Sequence, residues 1–217
     1  MTLPASTQPE EDTATALRRP HLAYTAGGRP RRRARTVENG LLGMAIFLGT
    51  ETMVFAALIS AFLILRAGSG TWPPPAQPRL PVGITGLNTV VLLCSAYTMR
   101  RATAASRVER NADMVQWLGA TAILGVTFLG VQGIEWVRLL EFGLRASSSL
   151  YGATFYTLIG CHGLHVFVAV IGLLAVLWGV LRVRPAGRRD VRLEVCQLYW
   201  LFVVGIWPIL YVLVYLT

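Results

Sequence analysis

Glu51 is the residue with the clearest chemical potential. It stands in Leu48-Gly49-Thr50-Glu51-Thr52-Met53, near the middle of a long apolar block. A charged side chain at the centre of a membrane helix costs about 2.5–3.5 kcal/mol on insertion scales, so such residues are rare and informative. No charged residue lies within a turn or two of Glu51, so no partner close in sequence neutralises it. Desolvation of a lone carboxyl favours the neutral acid. Two readings follow: a protonated carboxyl bonded to a neighbouring helix as packing glue, or a proton-active, lipid-adjacent carboxylate.

Cys161-His162-Gly163-Leu164-His165 sets two imidazoles three residues apart, hence on one face of a helix. His165 lies at about the depth of Glu51 in its own block. The histidines suit either one metal or one acid. A metal takes three or four ligands, and the remaining histidine, His21, falls in a polar tail. There is no CxxCH haem-attachment motif and no HExxH. The default expectation is therefore interhelical hydrogen bonding, with no metal held by this chain.

Gln132 and Glu135 repeat the three-residue spacing near the end of another block, and Glu194 opens the last one. Carboxylates at helix ends can reach interfacial water, so these read as anchors. Trp72, Tyr199, Trp200 and Trp207 read as aromatics at the membrane interfaces. Cys94, Cys161 and Cys196 have no partner at metal or redox spacing, which makes buried free thiols the expected state. No phosphate-binding glycine loop, nucleophile elbow, mid-membrane Asp ladder or voltage-sensor arginine series is present. The side chains propose no catalytic site.

The elements that must position these residues are written in the composition. The chain has 217 residues, 54% of them hydrophobic and only 14% charged, with a mean hydropathy of +0.53. Soluble domains carry about 25% charged residues, so disordered, collagen-like and ordinary cytosolic classes are excluded. Five apolar blocks, about 40–65, 82–99, 114–137, 150–181 and 193–216, are each long enough to cross ~30 Å of hydrocarbon as a helix. The expected fold is an all-α, polytopic bundle of five transmembrane helices. Residues 1–39, rich in Pro, Gly, Arg and acidic side chains, read as a disordered tail. The tail contains no apolar signal region, so it is expected to stay attached.

Net charge is +9 and all 20 basic residues are arginine. They cluster between the apolar blocks, which is the pattern of topology signals and not of a nucleic-acid face. Sixteen fall on the side of the N-terminus and four on the other. The positive-inside rule then puts the N-terminus in the cytoplasm and Thr217 outside. Trp72-Pro73-Pro74-Pro75 falls in an outer loop stiffened by proline.

The order of segments resembles subunit III of the haem–copper terminal oxidases, in the five-helix form that lacks the family's first two helices. The resemblance runs from about residue 40 to the C-terminus. It rests on Gly43-Met44-Ala45-Ile46-Phe47-Leu48 followed by Glu51; on Trp72-Pro73-Pro74, Leu80-Pro81 and Leu87-Asn88-Thr89; and on Gln132-Gly133-Ile134-Glu135-Trp136. It continues through Tyr151-Gly152-Ala153-Thr154-Phe155 and His162-Gly163-Leu164-His165-Val166 to Glu194, Tyr199-Trp200 and Trp207. Two positions depart from the family pattern: Leu201 stands where a His is usual, and Val204 where an Asp is usual.

That resemblance implies a non-catalytic subunit of a proton-pumping oxygen reductase in a bacterial inner membrane. Haem and copper would reside in subunits I and II. This chain would pack on subunit I, hold structural phospholipids, and sustain proton uptake and turnover lifetime. Cytochrome c or other respiratory complexes are further partners it implies. By the same resemblance Glu51 corresponds to a carbodiimide-reactive carboxylate near lipid, and His162, His165 and Glu194 to polar positions within the bundle. The lipid cleft formed by the two missing helices would be absent or completed by a partner. Glu51 is closer to the cytochrome c type than to the quinol type. The other readings are a subunit III-like accessory of quinol oxidase or nitric-oxide reduction, and an independent proton or solute conduit using Glu51 and the histidine pair.

Overall fold

Inside hydrocarbon a segment must satisfy its backbone hydrogen bonds internally, and a helix does so along its own length. The computed structural model describes residues 29–72, 81–147, 149–182 and 191–216, and among these every long element is helical. The helices are α1 (Arg29–Ala67), α2 (Val82–Arg107), α3 (Asn111–Glu141), α4 (Leu150–Arg182) and α5 (Val191–Tyr211), the last continuing into a π-helical turn at Val212–Leu216. All five are long and apolar enough to cross a membrane. The all-α, five-helix membrane architecture is therefore the one expected.

The ends differ from the apolar blocks. α1 begins at Arg29, within the expected tail, and α2 runs on to Arg107 instead of stopping near residue 99. The apolar run marks the hydrocarbon crossing, whereas Arg and Ala are strong helix formers that carry a helix beyond it. Pro30 is compatible with the first turn of α1, where its missing N–H has no helical partner. The disorder expected of residues 1–28, the proline loop with Pro73, Pro74 and Pro75, and Arg184, Arg188 and Arg189 lie outside the described residues. The chain divides into Met1–Asn39 and Gly40–Thr217, and the polar cluster built around Glu51 belongs wholly to the second unit.

Four helices form the packed core. α2 lies against α3 and α5, and α4 lies against the same two. The buried face of α2 includes Thr85, Asn88, Leu92, Ser95, Met99, Ala102 and Ser106. That alternating three–four spacing is the seam of a left-handed helix pair. Most of these side chains are small or polar, which allows close approach and supplies interhelical hydrogen bonds where no hydrophobic drive exists between helices. Thr98 Oγ1 lies 2.8 Å from Thr121 Oγ1, and Asn88 Nδ2 donates to the Phe128 carbonyl at 3.1 Å, tying α2 to α3. From α5, Trp200 Nε1 donates to Ser95 Oγ at 3.1 Å and Trp207 Nε1 to Thr89 Oγ1 at 2.9 Å.

α1 is the outlier. Only 11% of its apolar window is buried, against 39% for α2. It attaches through one stripe, Phe47, Glu51, Phe55 and Phe62, whose spacing keeps them on one helix face. Leu42, Ile46, Met53, Val54 and Ile64 are left exposed.

Two links between helices use the same C-terminal motif. At the end of α3, Gly143 N donates to Leu140 O and Leu144 N to Leu139 O, with Gly143 at φ 88° and Leu144 fully buried. At the end of α2, Glu109 takes the equivalent place at φ 60°, with Glu109 N bonded to Ser106 O and Arg110 N to Ala105 O. The left-handed position suits Gly143 and strains Glu109.

Close packing is tightest at Gly125, where a Cβ would fall 2.5 Å from Trp200 Cη2 and 3.3 Å from Val170 Cγ2. Gly119, on the same helix, has nothing within 4 Å of that position. Gly125→Ala is expected to destabilise the bundle by about 1–3 kcal/mol through overpacking. Gly119→Ala is expected to be neutral or stabilising by up to about 1 kcal/mol from helix propensity. Thermal unfolding of the two variants in detergent measures the contrast, and equal shifts would contradict it.

Candidate functional site

The α1 stripe delivers Glu51 to α4. Glu51 Oε2 sits 2.8 Å from His165 Nε2, a partner 114 residues away. The two side chains keep only 18% and 15% of their exposure. The other ring nitrogen, His165 Nδ1, lies 2.7 Å from the Cys161 carbonyl one turn back. A carbonyl only accepts, so Nδ1 carries a hydrogen and donates it. Nε2 is then either the acceptor of a Glu51 O–H or the donor to a Glu51 carboxylate. The pair thus holds one proton between two heavy atoms and is net neutral whichever side holds it. Neutrality as a pair is how a carboxyl and an imidazole can stand together in hydrocarbon.

Aromatic rings enclose this contact. Phe55, buried one turn after Glu51, meets His165 edge-on at 5.1 Å and His162 at 6.3 Å. Phe47, one turn before, meets Tyr199 at 6.0 Å. Tyr199 Oη lies 3.5 Å from the His165 carbonyl, at the outer limit of a hydrogen bond. The site therefore joins α1, α4 and α5.

The histidines do not converge on one acid or one metal. His165 takes Glu51 on α1, whereas His162 turns toward α5 and stacks on Trp207 at 5.0 Å with 26° between the ring planes. Helical spacing of three offsets two side chains by about 60°, enough here for each to join a different cluster. Among the described residues no group of three or more His, Cys, Asp or Glu could hold a metal.

Gln132, Glu135 and Glu194 are buried in the bundle. Gln132 Nε2 donates to Tyr215 Oη at 3.2 Å, linking α3 to the C-terminal turn. Glu135 accepts from Arg138 at 2.9 Å, and Glu194 lies 3.6 Å from Arg107. The arginines are more than half exposed while the carboxylates are covered. Long guanidinium side chains reach outward and still pair inward. Glu194 in the first turn of α5 and Arg107 in the last turn of α2 each also complement their helix dipoles.

The aromatic assignments divide. Trp200 and Trp207 are core residues at 1% exposure each, because Ser95 and Thr89 satisfy their indole N–H groups inside the bundle. Tyr199 and Trp72 are half-buried. Trp72 wedges edge-on between Phe62 and Tyr151, at 5.7 and 5.1 Å, pinning the end of α1 to the start of α4. Two tryptophans that sequence reasoning passed over carry arginines at the arginine-rich helix ends: Arg101 lies over Trp117 at 5.5 Å, and Arg182 over Trp178 at 4.2 Å. The cysteines are free, with Cys94 exposed and Cys161 and Cys196 half-buried. Cys161 and Cys196 pack against the core, whereas Cys94 lies outside it. Phe55 and Phe47 were also missed, although their four-residue spacing from Glu51 was a legible signal.

With this geometry in view, the similarity of the chain to known proteins is specific. The family model described as cytochrome c oxidase subunit III matches residues 27–217. The cytochrome c oxidase subunit 3 of Synechocystis sp. is 37% identical over 180 residues, covering 81% of this chain and 75% of that protein. That of Bacillus subtilis is 36% identical over 185 residues, covering 82% and 86%. That of Thermostichus vulcanus is 32% identical over 180 residues, covering 81% and 86%.

Glu51→Leu and His165→Leu each leave one buried polar group without its partner, and each is expected to cost about 1–3 kcal/mol. The double variant removes both groups and is expected to cost less than the sum by about 0.5–3 kcal/mol. Thermal unfolding of all four proteins in detergent measures the coupling. Strictly additive losses would mean that the pair is not formed.

Proposed function

The chain belongs to the cytochrome c oxidase subunit III family, and from that premise we propose that it serves as the non-catalytic third subunit of a proton-pumping oxygen reductase in a bacterial plasma membrane. Haem and copper belong to its partner subunits I and II, and the electron donor is cytochrome c. Its N-terminus lies in the cytoplasm, on the side where Arg100, Arg101, Arg107, Arg110 and Arg192 gather at the described helix ends.

The observation that carries the reading is the Glu51–His165 pair on the least buried helix. The pair holds a proton beside the apolar surroundings of the bundle, a placement suited to supporting proton entry in a neighbouring subunit. The exposed apolar side chains along α1 and α4 offer surface for subunit I and for lipid. An apolar groove between the two helices, lined by Leu58, Ala61, Phe62, Leu65, Ala153 and Leu158, has a volume of about 240 Å³ and suits an acyl chain of a structural phospholipid.

Affinity purification of the tagged chain from its own membranes in mild detergent tests this function. Haem absorbance in the reduced-minus-oxidised spectrum is expected to co-purify and to be lost when harsher detergent strips the partners. A stable, haem-free preparation would favour an independent conduit instead. In the assembled enzyme, Glu51→Ala is expected to leave the initial oxygen-consumption rate near wild type and to shorten the turnover lifetime several-fold. An unchanged lifetime would remove Glu51 from the proposed role.

A further inference from the structure

We propose that a cavity between α3, α4 and α5 is a built water site, in which ordered water joins His162, Gln132 and Trp136. The cavity has a volume of about 80 Å³ and is lined by Phe128, Gln132, Trp136, Ile159, His162 and Trp207, among others. One water needs about 10–15 Å³ of volume measured this way, so there is room for more than one.

Four buried polar atoms on residues of this lining have no hydrogen-bond partner among the described residues: Nδ1 and Nε2 of His162, Oε1 of Gln132 and Nε1 of Trp136. An orphaned buried group costs about 1–3 kcal/mol, and native cores hold few of them. Four gathered on one cavity indicate a common ligand. Nearby protein groups are already engaged. Trp207 Nε1 is bonded to Thr89, and His165 is bonded to Glu51 and to the Cys161 carbonyl. Turning the Gln132 amide over does not help. One of its two polar atoms faces Tyr215 in either orientation, and the other is left over.

The chemistry of the orphans selects the ligand. A neutral imidazole offers one N–H and one lone pair, the indole offers one N–H, and the amide oxygen accepts. The set therefore presents two donors and two acceptors, the same count as water. His162 is fixed in place by its stack on Trp207 and by the edge of Phe55. A Cβ at Gly163 would lie 2.8 Å from Trp136 Cη2, so that glycine is what admits the indole beside the cavity. Water here would bond α3 to α4 at a level where their facing side chains are otherwise apolar. It would give His162 a role unrelated to the proton held by Glu51 and His165.

The test is a density map, at a resolution that shows ordered waters, of the full chain purified from its membranes with the partners it retains. Water is expected within hydrogen-bond distance of His162 and of Gln132 or Trp136. His162→Phe is expected to lose it, and His162→Gln, which keeps a donor and an acceptor, to retain it. A dry cavity, an acyl chain or a partner's side chain in its place, or water unaffected by His162→Phe would each overturn the proposal. If neither variant assembles, the map of the unsubstituted protein decides alone.

Discussion

The structure depends on one constraint: between helices in hydrocarbon, lipid tails are as apolar as leucine, so burying leucine against leucine gains little. Cohesion must come from close van der Waals packing and from hydrogen bonds that cross between helices. α2 answers both needs with the seam from Thr85 to Ser106, where small and polar side chains recur at alternating three and four. α3 and α5 fit that seam, with Thr121, Trp200 and Trp207 bonded across it. Each such bond contributes on average about 0.6 kcal/mol in membrane proteins, so the set matters more than any member.

The same constraint explains the placement of charge. Glu51, Glu135 and Glu194 are all covered, and each has a cationic or ionisable partner. Toward the helix ends the partner is an arginine whose charged group is more than half exposed. In the middle of the bilayer no such outlet exists, and the partner is a histidine that can share a proton and leave the pair uncharged. The difference in partner follows depth. It also gives α1, which has little packed surface, a polar anchor amid the aromatic contacts of Phe47, Phe55 and Phe62.

Trp200 and Trp207 show how a side chain with a polar end can be misassigned. An indole needs an acceptor for its N–H, and headgroups or Ser and Thr hydroxyls serve equally well. Composition alone favours the headgroup. The hydroxyls of Ser95 and Thr89 lie more than 100 residues away in sequence, and only the fold brings them within reach. Val204, where the resemblance leads one to expect an acid, is buried beside Val203 and makes that position apolar in this chain. At Leu201, where the pattern has histidine, nothing in the structure explains the change.

The amino-acid sequence by itself determined the number of crossings, the helical class, the conspicuous carboxyl at Glu51 and the depth it shares with His165. These are legible because hydropathy and helical period are local, and hydrocarbon allows few alternatives to the helix. The sequence also carried the family resemblance, since motifs in a fixed order need no coordinates to be read. Only the tertiary structure decided which partner each polar residue takes. It gave His162 and His165 different neighbours, Trp207 and Glu51, drew Gln132 to Tyr215, and set the two tryptophans in the core. It also placed the helix ends, where α1 and α2 outrun their apolar blocks. The physical reason is the same in each case. Which face of a helix meets which neighbour is settled by close packing between segments distant in the chain, and that information is spread over all the helices at once.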